Sequence, residues 1–313
     1  MSAPINRFTK PALDPEQQIA QLRGRGLIIN DEAQAKVILR ATGYFRFCGY
    51  AQHWRPTNAA GSPNFPAGLT FDEIVVALDF DRRLRIHIMD AIDRIEVAVR
   101  SSFSNALATA FGSHWYLRAN LFSNLTEQHT DIIREIKHQI GHNKADKRED
   151  FVDEYYNTYN DPDMPPSWMV FEVLSLGAVS RIYANIVKSC QKSIGNELNL
   201  HRTLLVSWLH AISILRNYCA HHSRLWNRNF PVKPIIQSKH QIYCSHEAID
   251  KNGNKIIEIG DYRLHTQLLV LHSFLSSVST ENGWVDRLFD LLQSHPSLDK
   301  SVMGFPPDWA GFP

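Results

Sequence analysis

Arg216-Asn217-Tyr218-Cys219-Ala220-His221 places an arginine, an asparagine and a histidine in one hexamer, and His222-Ser223-Arg224-Leu225-Trp226-Asn227-Arg228 follows at once. An arginine stays charged and grips phosphate with a planar fork of donors. An imidazole, with an ordinary pKa of about 6.5, gives or takes a proton near neutrality. An asparagine beside them can orient the ring or a phosphate oxygen. These residue types suit cleavage of an RNA phosphodiester with no metal. The ribose 2′-hydroxyl attacks phosphorus, one group removes its proton, another protonates the leaving 5′-oxygen, and a cation offsets charge on the phosphorane. Arg216, Asn217 and His221 are therefore the candidate catalytic residues. The reaction benefits from two proton-transfer groups and one hexamer holds one motif histidine, so a homodimer with a composite site is expected.

The surroundings carry a consistent charge. Between Glu197 and Glu247 there is no Asp or Glu, whereas Arg202, Arg216, Arg224, Arg228, Lys233 and Lys239 fall there with six histidines. An acid-free basic stretch around a phosphate-handling motif is the electrostatic footprint of a nucleic-acid site. His222, Arg224 and Arg228 are its candidate RNA contacts. The net charge of +1 says nothing about partners.

Other chemistries find less support. His138 and His142 are four apart, but H-E-x-x-H is missing and no third ligand is near, so no metal site is expected. There is no P-loop, G-x-G-x-x-G or G-x-S-x-G, and no cofactor is expected. Cys48, Cys190, Cys219 and Cys244 are scattered, which reads as free thiols in a reducing compartment. Cys219 reads as a small buried residue.

The elements that must position the hexamer read as helices. Asp14-Pro15-Glu16 opens one that Gly24 and Gly26 end, Asp31–Ala41 is a second, and Tyr44–Trp54 is left open. Thr57–Gly68 reads as a loop, and Thr70-Phe71-Asp72-Glu73 as a capping box. Behind it Leu84, Ile88, Ile92, Ile95, Val99, Phe103, Ala106 and Ala110 step by three and four along one face of a long helix ending before Gly112. Residues 131–140 form another helix, and Lys144–Asp150 a charged turn. Ser167 is expected to cap a helix through about Val187. A further helix spans Leu198–Cys219, with Leu205, Trp208, Leu209, Ile212 and Leu215 inward. Lys251-Asn252-Gly253-Asn254 suggests a small hairpin near 248–259, and Arg263–Ser277 and Trp284–Gln293 are the last helices. On an ideal helix Asn217 and His221 share a face, Arg216 lies about 140° away, and Arg224 and Arg228 continue that face if the helix persists. A helix end near Ala220 would let Arg216 reach round more easily. Glu96 and Arg100 are a local i,i+4 pair.

The hexamer resembles the R-x(4–6)-H motif of HEPN ribonucleases. Tyr44-Phe45-Arg46-Phe47-Cys48-Gly49-Tyr50, Arg94-Ile95-Glu96-Val97-Ala98-Val99-Arg100, Ser167–Gly177 and Met303–Trp309 surround it in order. Together they resemble the Abi-like family of phage abortive-infection proteins, of the Abi-D/Abi-F type, from about Lys10 to Trp309. The resemblance implies an all-α HEPN-like bundle with additional helices: one Abi-like helical domain over 1–313, its HEPN core within 69–295. It implies RNA cleavage in phage defence or a toxin–antitoxin pair, paired motifs in a dimer, and a small noncoding RNA as regulator. It also implies that Glu96 and Arg100 brace the hexamer. By residue type, Tyr44, Arg46 and Tyr50 can stack on or bind RNA, with core packing the favoured alternative.

Three rivals stand beside the endoribonuclease: an RNA-binding protein that only grips a folded RNA, a helical antitoxin or interaction component, and, from the resemblance to HEPN proteins that sit beside nucleotidyltransferases, nucleotide binding or transfer. The apolar runs are too short to span a membrane, and Met1–Arg7 lacks a signal pattern, so a cytoplasmic protein is expected.

Overall fold

The computed structural model describes residues 11–55, 64–123, 127–249, 255–279, 283–307 and 309–312. Two compact units divide the chain, residues 1–83 and 84–313. The expected turn at Lys251–Asn254, the N-terminal Met1–Arg7 and most of the loop after Thr57 lie outside the described residues.

In the first unit, α1 (Pro15–Gly24) opens on a capping box in which Asp14 and Gln17 exchange side-chain and backbone bonds. Helix α2 (Glu32–Thr42) is capped by Asp31 and stops at Gly43, whose φ of +80° spares a side chain the left-handed strain. The segment left open by the sequence is helical: α3 (Tyr44–Ala51) buries Phe47 and Tyr50. Tyr50 donates to buried Asp81 at 2.5 Å. Thr70 and Glu73 make the expected capping box at the start of α4 (Phe71–Phe103).

In the second unit, the predicted α4 face holds from Leu84 through Phe103, all buried. Beyond it the stripe shifts. A π turn at Ser104–Ala108 leads into α5 (Thr109–Phe111), so Leu107 is buried where Ala106 was expected, and Ala110 is exposed. A π turn adds one residue to the helical ladder, which moves the face by one position. Helix α6 (His129–Gln139) follows, and α7 (Asp150–Thr158) grows from the end of the charged turn, burying Val152 and Tyr155.

The single helix expected after Ser167 is two: α8 (Ser167–Val173) and α9 (Leu176–Asn185). Leu174 and Ser175 are extended between them, Ser175 caps α9, and Arg100 donates to the Leu174 carbonyl at 3.0 Å. Ser167 caps nothing; its hydroxyl is buried without a partner among the described residues. Next come α10 (Lys188–Glu197), which the sequence reading passed over, and α11 (Arg202–Ala220), starting later than expected. Gly195 permits that junction, because a Cβ there would lie 2.5 Å from the Leu200 carbonyl oxygen.

Leu205, Trp208, Leu209, Ile212 and Leu215 are buried as predicted, and α11 packs against α9 and α10. Strands β1 (Ser245–Ile249) and β2 (Lys255–Ile259) pair antiparallel with Glu247 opposite Ile257. Then α12 (Leu264–Val278), which also packs on α11, and α13 (Trp284–Gln293) close the chain. The fold is all-α with one small hairpin. Among the described residues no helix is long and apolar enough to cross a membrane.

Candidate active site

The hexamer ends α11. His221 is the C-cap residue, its N–H bonded to the Asn217 carbonyl at 2.9 Å. His222 then turns left-handed at φ +54° and donates to Cys219 O at 3.0 Å, while Ser223 donates to Tyr218 O at 2.8 Å. That pair of bonds is a Schellman closure, which satisfies the last carbonyls of the helix. It normally uses glycine at the left-handed position; here a histidine fills it. The helix therefore does not persist to Arg224 and Arg228. Both lie on the segment beyond it, and the conditional expectation that they extend the Asn217–His221 face is corrected.

Asn217, His221 and His222 are exposed and Arg216 is half-buried. Arg216 Nη1 reaches Asn217 Oδ1 at 3.5 Å, the outer limit of a hydrogen bond, and its Nε is sealed from water with no partner among the described residues. Among the described residues no carboxylate is within ion-pair distance of Arg216. A guanidinium so placed keeps most of its donors for a ligand. Cys219 points inward and is 4% exposed, the small buried residue expected.

The following segment is firmly held. Trp226 is fully buried, and its indole N–H donates to Asp299 O at 3.3 Å. Arg228 lays its guanidinium over the Tyr218 ring, 4.6 Å from the centroid, and Phe230 meets the same ring edge-on. Lys233 pairs with Glu258 at 3.8 Å, so one cation of the acid-free stretch is spent on the hairpin.

Sequence reasoning missed Arg85 and Tyr218. Arg85, on α4 and 7% exposed, donates from Nη1 to Ser223 O at 3.4 Å, just behind the helix end. Its one signal was an arginine adjoining the apolar stripe. Tyr218 lies inside the hexamer and is the platform for Arg228. Glu96 and Arg100 pair at 2.7 Å, and Arg100 also approaches Glu172 at 3.8 Å. Among the described residues their bonds hold the α8–α9 break and do not reach the hexamer. Arg46, in the first unit, lies 5.9 Å from the Tyr50 ring centroid. Among the described residues no group of three or more His, Cys, Asp or Glu is gathered to hold a metal ion.

Comparison with curated proteins and with solved structures found no match. A family model does match, described as Abi-like protein, over residues 37–227. The matched span takes in α3, α4 and all of α11 with Arg216, Asn217 and His221. It covers well over half of the chain, so the chain belongs to the Abi-like protein family, which suggests abortive infection or phage defence.

Proposed function

We propose that the protein is a metal-independent endoribonuclease of the HEPN type, acting as an abortive-infection or toxin–antitoxin effector. The observation that carries this reading is the helix end itself. Arg216 and Asn217 stand in its last turn and His221 caps it, the imidazole in water and the guanidinium with no carboxylate in ion-pair distance among the described residues. In the proposed reaction the 2′-hydroxyl oxygen bonds to phosphorus as the bond to the 5′-oxygen breaks. His221 transfers a proton to or from these oxygens, and Arg216 stabilises the phosphorane charge. A second copy of the motif, across a homodimer, supplies the second proton-transfer group.

The basic segment behind the helix end would hold the RNA, and a small noncoding RNA of the cell could occupy it as a restraint. Held RNA explains the exposed His222 and the half-buried Arg224 and Arg228 as phosphate contacts.

Incubating purified protein with RNA tests this in EDTA. Products should end in 2′,3′-cyclic phosphate and 5′-hydroxyl, and a 2′-deoxy substitution at the cut site should stop the reaction. Equal activity on DNA, or wild-type rates in His221→Ala, would sink the proposal. RNA binding without cleavage would leave the gripping reading in its place. Mixing wild-type with His221→Ala chains tests the dimer: heterodimers should be impaired, and a stable monomer with full activity would refute it.

A further inference from the structure

Helix α4 carries arginines of two kinds. Arg82, Arg83 and Arg94 are exposed and pair with Asp79 or Asp90 one turn away, at 2.9, 2.6 and 3.2 Å. Pairs of that kind on a helix surface add little to stability. Arg85 is 7% exposed, and its Nη1 donates to the Ser223 carbonyl at 3.4 Å, 138 positions along the chain. A guanidinium leaves water only where polar groups replace that water.

The carbonyl it meets belongs to the helix end that carries the hexamer. Ser223 stands one residue past the left-handed His222 and two past the C-cap His221. The N–H groups of His222 and Ser223 close α11 on Cys219 O and Tyr218 O, while the Ser223 carbonyl accepts from Arg85. The turn is thus held from both sides, by α11 through its N–H groups and by α4 through its carbonyl. His222 needs such support. A residue with a Cβ at φ +54° is strained, and it stays there only where its surroundings over-determine the turn. A cation at this place also suits the negative end of the α11 dipole.

The mount for Arg85 is itself fixed. Leu84, Ile88, Ala91 and Ile92 on the same stretch of α4 are buried. Helix α13 fastens that stretch: Trp284 Nε1 donates to His87 O at 2.9 Å, the two rings stack at 4.6 Å, and Arg287 pairs with Asp90 at 2.9 Å. One side chain therefore passes the position of the packed bundle to the turn. Proton transfer is sensitive to such placement, since an error of about 1 Å at a reacting group can cost roughly 100-fold in rate.

We propose that Arg85 is a positioning residue of the helix-end site: it holds the Ser223 carbonyl and so fixes the turn that presents the His221 imidazole for proton transfer. This rests on the ribonuclease reading of that site. Arg85 acts through His221 and touches neither the RNA nor the reacting atoms.

Kinetics of RNA cleavage by the full chain, with rates taken per folded molecule, test it. Arg85→Met keeps an apolar stem and removes the donors. Its kcat should fall by about tenfold to 100-fold with KM within about twofold. Arg85→Lys, which keeps a donor and the charge, should recover part of that loss. The double variant Arg85→Met with His221→Ala should be no slower than His221→Ala alone, because nothing is left to position. Hydrogen exchange gives a readout that needs no activity. In Arg85→Met the His222 and Ser223 amides should exchange about tenfold faster, while those of Ile88 and Ile92 keep their rates. If Arg85→Met does not fold, Arg85→Lys carries the same readouts with smaller changes. Wild-type kcat in these variants, a loss confined to KM, a further fall in the double variant, or unmoved His222 and Ser223 amides overturns the proposal and leaves the ribonuclease reading in place. A wild-type chain that cuts no RNA overturns both, so the wild-type rate tells the two failures apart.

Discussion

Arg100 and Arg216 lie in the same unit and are used in opposite ways. Arg100 donates to Glu96 at 2.7 Å and to Leu174 O at 3.0 Å, with Glu172 at 3.8 Å. Among the described residues the Arg216 side chain has only Asn217 Oδ1, at 3.5 Å. The first spends its charge inside the fold, where it fastens the break between α8 and α9. The second keeps its charge at a helix end beside exposed imidazoles. The Nε of each is buried without a partner among the described residues, so what separates them is the carboxylate: an arginine paired with one inside the fold braces, and one that meets none among the described residues is positioned for an external anion. The two are both arginines on helices, and only their partners tell them apart.

The strongest test of that contrast is to remove each. Arg216→Ala and His221→Ala should each lower RNA cleavage by about 100-fold or more, since both act on charge or protons in the transition state. Neither should shift the urea midpoint by much. Arg100→Met should do the reverse. It leaves Glu96 and the Leu174 carbonyl without their donor, so stability should fall by ~2–3 kcal/mol, read from urea unfolding. Cleavage per folded molecule should stay near wild type. An Arg100→Met protein of normal stability that no longer cuts RNA would break the comparison.

A smaller effect separates buried from exposed imidazoles. Burial first, then the Arg287 charge, pushes His87 down to about 4, and burial does the same to His265. Unfolded, each returns to about 6.5, so the unfolded chain binds more protons between those values. The stability they confer is complete above about pH 6.5 and is lost as the pH falls toward 4. His87→Phe, which can keep the stack on Trp284 at 4.6 Å, should flatten the fall in melting temperature between pH 7 and pH 5. An unchanged slope would show that His87 is not one of the groups that titrate on unfolding.

What the sequence could tell depended on range. The apolar stripe from Leu84 to Phe103, the inward face of α11, the Thr70–Glu73 box and Trp284–Gln293 came from local periodicity and caps, and they hold. The π turn was invisible, because one inserted residue leaves no compositional mark. The split at Leu174–Ser175 has no proline or glycine at the break, and depends on a bond from Arg100, 74 positions away. Arg85 reaches Ser223 across 138 positions. The chemistry-bearing residues were legible as types in one hexamer. Their exposure, and the exact end of their helix, were not, because His222 occupies the seat where glycine would have announced the turn.

That seat allows the finest test. His222 sits at φ +54°, a conformation that glycine adopts without the steric cost a Cβ brings. Its N–H closes the helix on Cys219 O, and glycine would keep that bond. His222→Gly should therefore stabilise the protein by ~0.5–1 kcal/mol, seen as a small rise in the urea midpoint, while His222→Ala should not. The same two variants report on RNA. If the imidazole contacts phosphate, both should weaken RNA binding to a similar extent and flatten its salt dependence, although one is more stable than wild type and the other is not. Affinity that follows stability across the pair, or does not change in either, would show that the imidazole makes no RNA contact. A strained position retained for a ligand predicts that affinity and stability part company at this residue.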